Sequence, residues 1–71
     1  MAEEQLILYT TPGCDVCDRA RSELIAEGTA FEERDVMKDK QWFEDVLKYT
    51  IFVPMVIRDG KVEIGWRGAV G

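Results

Sequence analysis

The chain contains no histidine, which removes the commonest general base, the cysteine–histidine nucleophile pair and every zinc site built on imidazole. Cysteine is nearly absent as well. Cys14 and Cys17 are too few and too close to be the framework of a secreted miniprotein, whose disulfides stabilise by closing long loops. Positive charge is scarce. The formal net charge is -5 and the basic residues are scattered among acidic ones, so neither nucleic acid nor an anionic membrane finds a stripe that gains from counterion release. No apolar run approaches membrane-spanning length, and Met1-Ala2-Glu3-Glu4 lacks the basic and apolar regions of a signal peptide. A cytoplasmic location is expected, with no membrane and no nucleic-acid partner.

What is present is enough for one small folded domain spanning residues 1–71. A hydrophobic content of 46% beside 32% charged residues is that of a soluble globule, because disordered chains lack the apolar mass to offset chain entropy. Leu6-Ile7-Leu8-Tyr9 is apolar without alternation, as in a strand covered on both faces, and Thr10-Thr11-Pro12-Gly13 ends it with turn formers. From Asp15, the residues Cys17, Ala20, Arg21, Leu24 and Ile25 recur at helical spacing until about Glu27, where Gly28 supplies a left-handed cap. Phe31 to Val36 reads as a short strand despite its charges, since it lies between two helical segments. Asp39 can cap a second helix whose stripe of Trp42, Phe43, Val46 and Leu47 is expected to cover the sheet, Phe43 within the core. Met55 to Arg58 and Lys61 to Ile64 flank Asp59-Gly60, a pair suited to a type I′ hairpin turn. The order β-α-β-α-β-β predicts an α/β fold with a mixed four-stranded sheet and helices on its faces.

The chemistry resides in Cys14 and Cys17. A strand, a short turn and C-x-x-C opening a helix place Cys14 where unpaired N–H groups and partial positive charge stabilise a thiolate. Cys14, partly exposed at the cap, is then the nucleophile. Cys17, one turn on along the same face, is the resolving thiol. Asp15 opposes this, because a carboxylate beside the sulfur disfavours its ionisation and makes the pair more reducing. No metal site is expected: a zinc knuckle would need ligands from a second chain or from carboxylates.

Tyr9-Thr10-Thr11-Pro12-Gly13-Cys14-Asp15-Val16-Cys17, followed by Ala20, Leu24 and Gly28, resembles the active-site segment of glutaredoxins, and Val53-Pro54 resembles the family's Val-Pro with its cis proline. The resemblance runs over roughly residues 5 to 68 and implies a thioredoxin-like fold. Without it, Pro54 reads as an ordinary trans proline opening a strand. With it, Val53 would offer free backbone groups to an extended peptide or to glutathione.

The usual Pro-Tyr between the cysteines, the basic residue before them and the Gly-Gly…Asp near the end are replaced here by Asp15-Val16, Thr11 and Gly65-Trp66-Arg67-Gly68. That ending is closer to the Ser-Gly-Phe-Arg-Pro of redoxins that serve ribonucleotide reductase and draw on thioredoxin reductase, although Gly68 stands at the proline's place. The family's last helix is short or absent, which would leave a sheet face less covered and favour low stability or self-association in a chain otherwise expected to be a monomer.

The resemblance implies a dithiol–disulfide oxidoreductase with Cys14 and Cys17 catalytic and a disulfide-containing protein as substrate. Tyr9, Thr11, Pro12, Val53, Pro54, Gly65, Trp66 and Arg67 would line the substrate site, with Trp66 near the cysteines. No cofactor is held; glutathione or thioredoxin reductase would be the electron source. Lys38, Lys40, Arg58 and Arg67 are the cations open to a glutathione carboxylate, against their ordinary reading as solvated surface charge. Two other functions compete: a carrier of a [2Fe–2S] cluster held by Cys14 of two chains and two glutathione thiols, and a non-catalytic thioredoxin-like binding module.

Overall fold

The computed structural model describes residues 6–71, so the reading of Met1 to Glu4 lies outside the described residues. Strand β1 (Leu6–Thr10) leads into helix α1 (Asp15–Ala26), strand β2 (Glu32–Asp35), helix α2 (Lys40–Leu47) and the hairpin of β3 (Met55–Arg58) and β4 (Lys61–Ile64). The sheet order is β2-β1-β3-β4. β1 pairs in parallel with β2 and antiparallel with β3, and β3 pairs antiparallel with β4. Among the described residues no helix is long and apolar enough to cross a membrane.

The unbroken apolar run of β1 makes it central. Its side chains alternate between two cores, so both must be apolar. Leu6 and Leu8 meet Ala20 and Leu24 of α1 and Val56 of β3, with Phe31 and Trp66 packed against them. On the other face Tyr9 joins Val36, Val46 of α2 and Met55, with Ile7, Trp42, Val53, Ile57 and Val62 around them. The two helices therefore cover opposite faces of the sheet.

β2 is an edge strand, and its charges have specific partners. Glu33 accepts from the Arg21 guanidinium of α1 at 2.6 Å and from the Thr10 hydroxyl at 3.0 Å. The Arg21 hydrogen bonds hold the Glu33 carboxyl below its ordinary range, outweighing partial burial. Arg34 points to the opposite face, its guanidinium 5.7 Å from the Tyr9 ring centre and 5.8 Å from that of Trp42. Charged edges of this kind also discourage pairing with another chain.

One expectation needs correcting. Phe43 and Leu47 lie on the outside of α2, 44% and 49% exposed, whereas Trp42 and Val46 face the sheet. A single short helix presents only one stripe of about 100° to the core, and Trp42 with Val46, four residues apart, occupy it. After β4 the chain forms no helix among the described residues, in keeping with a last helix expected to be short or absent. Trp66-Arg67-Gly68-Ala69 makes a tight turn instead, with Trp66 and Ala69 exchanging backbone hydrogen bonds of 2.7 and 2.9 Å. Arg67 and Gly68 have φ of 51° and 84°, the signature of a type I′ turn. Proline could not stand at Gly68, because its φ is locked near -65°. Asp59 and Gly60, at 50° and 83°, form the hairpin turn that their sequence predicts.

Candidate active site

The buried end of β1 fixes where the cysteine pair can sit. Beyond Thr10 the chain turns through Thr11, exposed Pro12 and Gly13, whose φ of 76° brings Cys14 to the start of α1. Cys14 is the N-cap residue, and its sulfur accepts the Cys17 N–H at 3.0 Å. A sulfur so placed takes one of the unpaired donors of the first turn and lies in the positive end of the helix dipole. The Cys14 and Cys17 sulfurs are paired as a disulfide, with Cα atoms 5.2 Å apart.

Cys17 is fully buried, and Cys14 is only 5% exposed, contrary to the expectation of a partly open sulfur. The cover comes from an unexpected place. The Gly71 N–H donates to the Val53 carbonyl at 2.7 Å, and the Gly71 backbone lies against the Cys14 side chain. A Cβ at position 71 would collide with Cys14 Sγ and stand 3.3 Å from the Val53 oxygen.

The Val53–Pro54 peptide bond is cis, as the resemblance implies, and Pro54 is buried. Its carbonyl accepts the Gly65 N–H at 2.7 Å. Val53 is not free to meet a ligand through its carbonyl, since Gly71 already occupies it. Cys14, Val53, Pro54, Gly65 and Gly71 thus form one neighbourhood. Gly65 itself has no room for a side chain, with the Ala69 carbonyl 2.5 Å from where a Cβ would stand and a φ of 87°.

The remaining expected contacts are distributed elsewhere. Tyr9 is packed into the α2-side core, and its hydroxyl accepts from Arg34 at 3.0 Å. Trp66 and Arg67 reach along α1 to Glu23, nine residues beyond Cys14 and so about 13 Å further along the axis at 1.5 Å per residue. The Trp66 indole donates to Glu23 Oε1 at 3.2 Å, the Arg67 guanidinium donates to the same oxygen, and Arg67 also lies 3.6 Å from Glu27. Hydrogen bonding by Arg67, then by Trp66, holds the Glu23 carboxyl below its ordinary range. Of the cations open to a glutathione carboxylate, Arg67 is therefore engaged, and Lys40 stands 4.0 Å from Glu44. Glu23 and Gly71 were not foreseen: a glutamate on an exposed helix face has no distinguishing pattern, and the position of Gly71 depends on the turn before it.

The Cys14–Cys17 pair at the N-terminus of α1 shares its neighbourhood with the cis Val53–Pro54 bond, and the family model of the Glutaredoxin-like domain (DUF836) matches residues 5–69. The chain belongs to that family. This glutaredoxin-like domain is 35% identical over 54 residues to the Gene 56 protein of Mycobacterium phage L5, in an alignment that takes in 73% of the chain and 52% of the phage protein. The chain thus spans about half the length of the curated relative it matches. A solved mutant of the thioredoxin-like protein BC3987 is 30% identical and superposes with a TM-score of 0.80, covering 87% of this chain and 82% of that one. The mixed four-stranded α/β sheet expected from the element order and the thioredoxin-like fold implied by the resemblance are the ones found.

Proposed function

We propose that this glutaredoxin-like domain is a dithiol–disulfide oxidoreductase that reduces protein disulfides in the cytoplasm. The observation that carries the reading is the pairing of Cys14, at the cap of α1, with Cys17 inside its first turn. In the reduced form the Cys14 thiolate attacks one sulfur of the substrate disulfide. A mixed disulfide forms and the first substrate thiolate leaves. Cys17, already held by the helix within reach of Cys14, gives up its proton and attacks Cys14 Sγ, which releases the second substrate thiol. Two electrons have passed to the substrate, and Cys14–Cys17 is left oxidised. A reductant, either the NADPH-dependent thioredoxin reductase or two molecules of glutathione, returns the pair to the dithiol.

The Gly65-Trp66-Arg67 ending favours thioredoxin reductase as the source. The test follows reduction of a protein disulfide with thioredoxin reductase and NADPH in one arm and glutathione with its reductase in the other. Turnover in the first arm is the expected result. Turnover only with glutathione overturns that electron route, and turnover with neither overturns the oxidoreductase reading.

Asp15 tunes the same pair. It is exposed at the first position of α1, beside the sulfur whose ionisation it opposes. Asp15→Asn is expected to stabilise the reduced form through its thiolate and to shift the potential in the oxidising direction by roughly 10 mV, taking about 0.5 kcal/mol for an exposed charge. Equilibration with glutathione redox buffers measures it; a shift toward more reducing values contradicts the electrostatic role.

A further inference from the structure

We propose that residues 66–71 form a strap that closes the redox site and must lift from Val53 before a substrate can reach Cys14. Three observations converge on it. The Gly71 N–H occupies the Val53 carbonyl, the acceptor that an entering peptide main chain would otherwise use. The Gly71 backbone lies so close to Cys14 that even one added carbon would collide with the sulfur, and Cys14 is correspondingly buried. The far end of the strap is fastened separately: Trp66 and Arg67 both donate to Glu23, and the type I′ turn at Arg67-Gly68 directs the chain back toward the sulfur.

The two ends differ in strength, which makes the strap a hinged device and not a fixed lid. At Glu23 an ion pair and an indole hydrogen bond act together, with Trp66 packed on the α1-side core. At Val53 the described hold is one backbone hydrogen bond, made by an exposed glycine that follows an exposed valine. One such bond is worth little net free energy against water, so the contact at Val53 opens more readily than the one at Glu23. A substrate segment entering the site exchanges its own N–H for that of Gly71 at the Val53 carbonyl.

The inference rests on the dithiol reading for its purpose, but its test needs no turnover. The measured quantity is the rate at which tris(2-carboxyethyl)phosphine reduces the Cys14–Cys17 disulfide of the full chain. The phosphine attacks a sulfur, the S–S bond breaks, and water completes conversion to phosphine oxide and two thiols. The step is irreversible, so its rate reports access and not redox equilibrium. Gly71→Ala places a methyl group against the sulfur and should displace the tip. Gly68→Pro removes the turn without touching the sulfur, because proline cannot adopt the 84° φ found there. Both are expected to accelerate reduction by roughly three- to tenfold, the factor corresponding to the loss of one net backbone hydrogen bond. A rate at or below that of the native chain, in whichever variant retains its circular dichroism spectrum, overturns the strap. Failure there leaves the oxidoreductase reading intact, since that stands on turnover with the two electron sources.

Discussion

Cys14→Ser is expected to abolish disulfide reduction, while Cys17→Ser halts the cycle at a trapped mixed disulfide. The asymmetry follows from position. Cys14 caps α1 and is the sulfur placed in the helix's positive end, whereas Cys17 lies wholly inside. A serine hydroxyl remains protonated at neutral pH and is no nucleophile toward sulfur, so no chemical step begins. The fold should tolerate the change, because serine is itself a preferred N-cap and its oxygen can accept the Cys17 N–H in place of the sulfur. The crosslink that is lost encloses only a short loop and constrains the unfolded chain weakly. Loss of activity with retained helicity is therefore the diagnostic pair, read by NADPH consumption and circular dichroism. In Cys17→Ser, attack by Cys14 still proceeds, and mass spectrometry should find the substrate attached to Cys14. Substantial multiple turnover by Cys14→Ser would sink the assignment of Cys14 as the nucleophile.

Much of this site was legible because the residues that carry it are close together in the chain. The run Leu6 to Tyr9, the turn through Gly13 and the helical recurrence after Cys14 are local patterns, and each element lies within a residue or two of where its pattern places it. The Asp59-Gly60 hairpin was legible for the same reason. The misreadings have a common origin in contacts made across the chain. Trp42, Phe43, Val46 and Leu47 are all apolar, and nothing local says which pair turns inward; packing against Tyr9 and Met55 selects Trp42 and Val46. Gly71, far away in sequence, is brought against Cys14 by a turn whose Arg-Gly pair is not among the usual type I′ signals. The resemblance places Trp66 near the cysteines, but its indole hydrogen-bonds along α1. The acceptor that holds it, Glu23, belongs to a later turn of α1.

Leu24→Ala tests the scaffold on which all of this stands, and its expected cost is about 2–5 kcal/mol. Leu24 is completely buried where α1 meets Leu6 and Leu8 of β1 and Val56 of β3. Its removal leaves a cavity bordered by two sheet strands that are held by pairing on both sides, so the site cannot readily collapse around the smaller side chain. A chain of 71 residues has a total stability of only about 4–10 kcal/mol at typical values per residue, so this single change removes a large fraction of it. Phe43→Ala, by contrast, should change stability by no more than about 0.5 kcal/mol, because the ring sits on the outer side of α2. Urea unfolding of both variants measures the difference. A costly Phe43→Ala beside a mild Leu24→Ala would mean that α2, not α1, carries the main core. The distinction reaches the chemistry, because α1 holds Cys14 at its first turn and Glu23 further along, so a loosened α1 disturbs the sulfur and the anchor of the strap together. Leu24→Ala should accordingly speed reduction of the Cys14–Cys17 disulfide, under conditions where the variant remains folded, while Phe43→Ala leaves that rate unchanged.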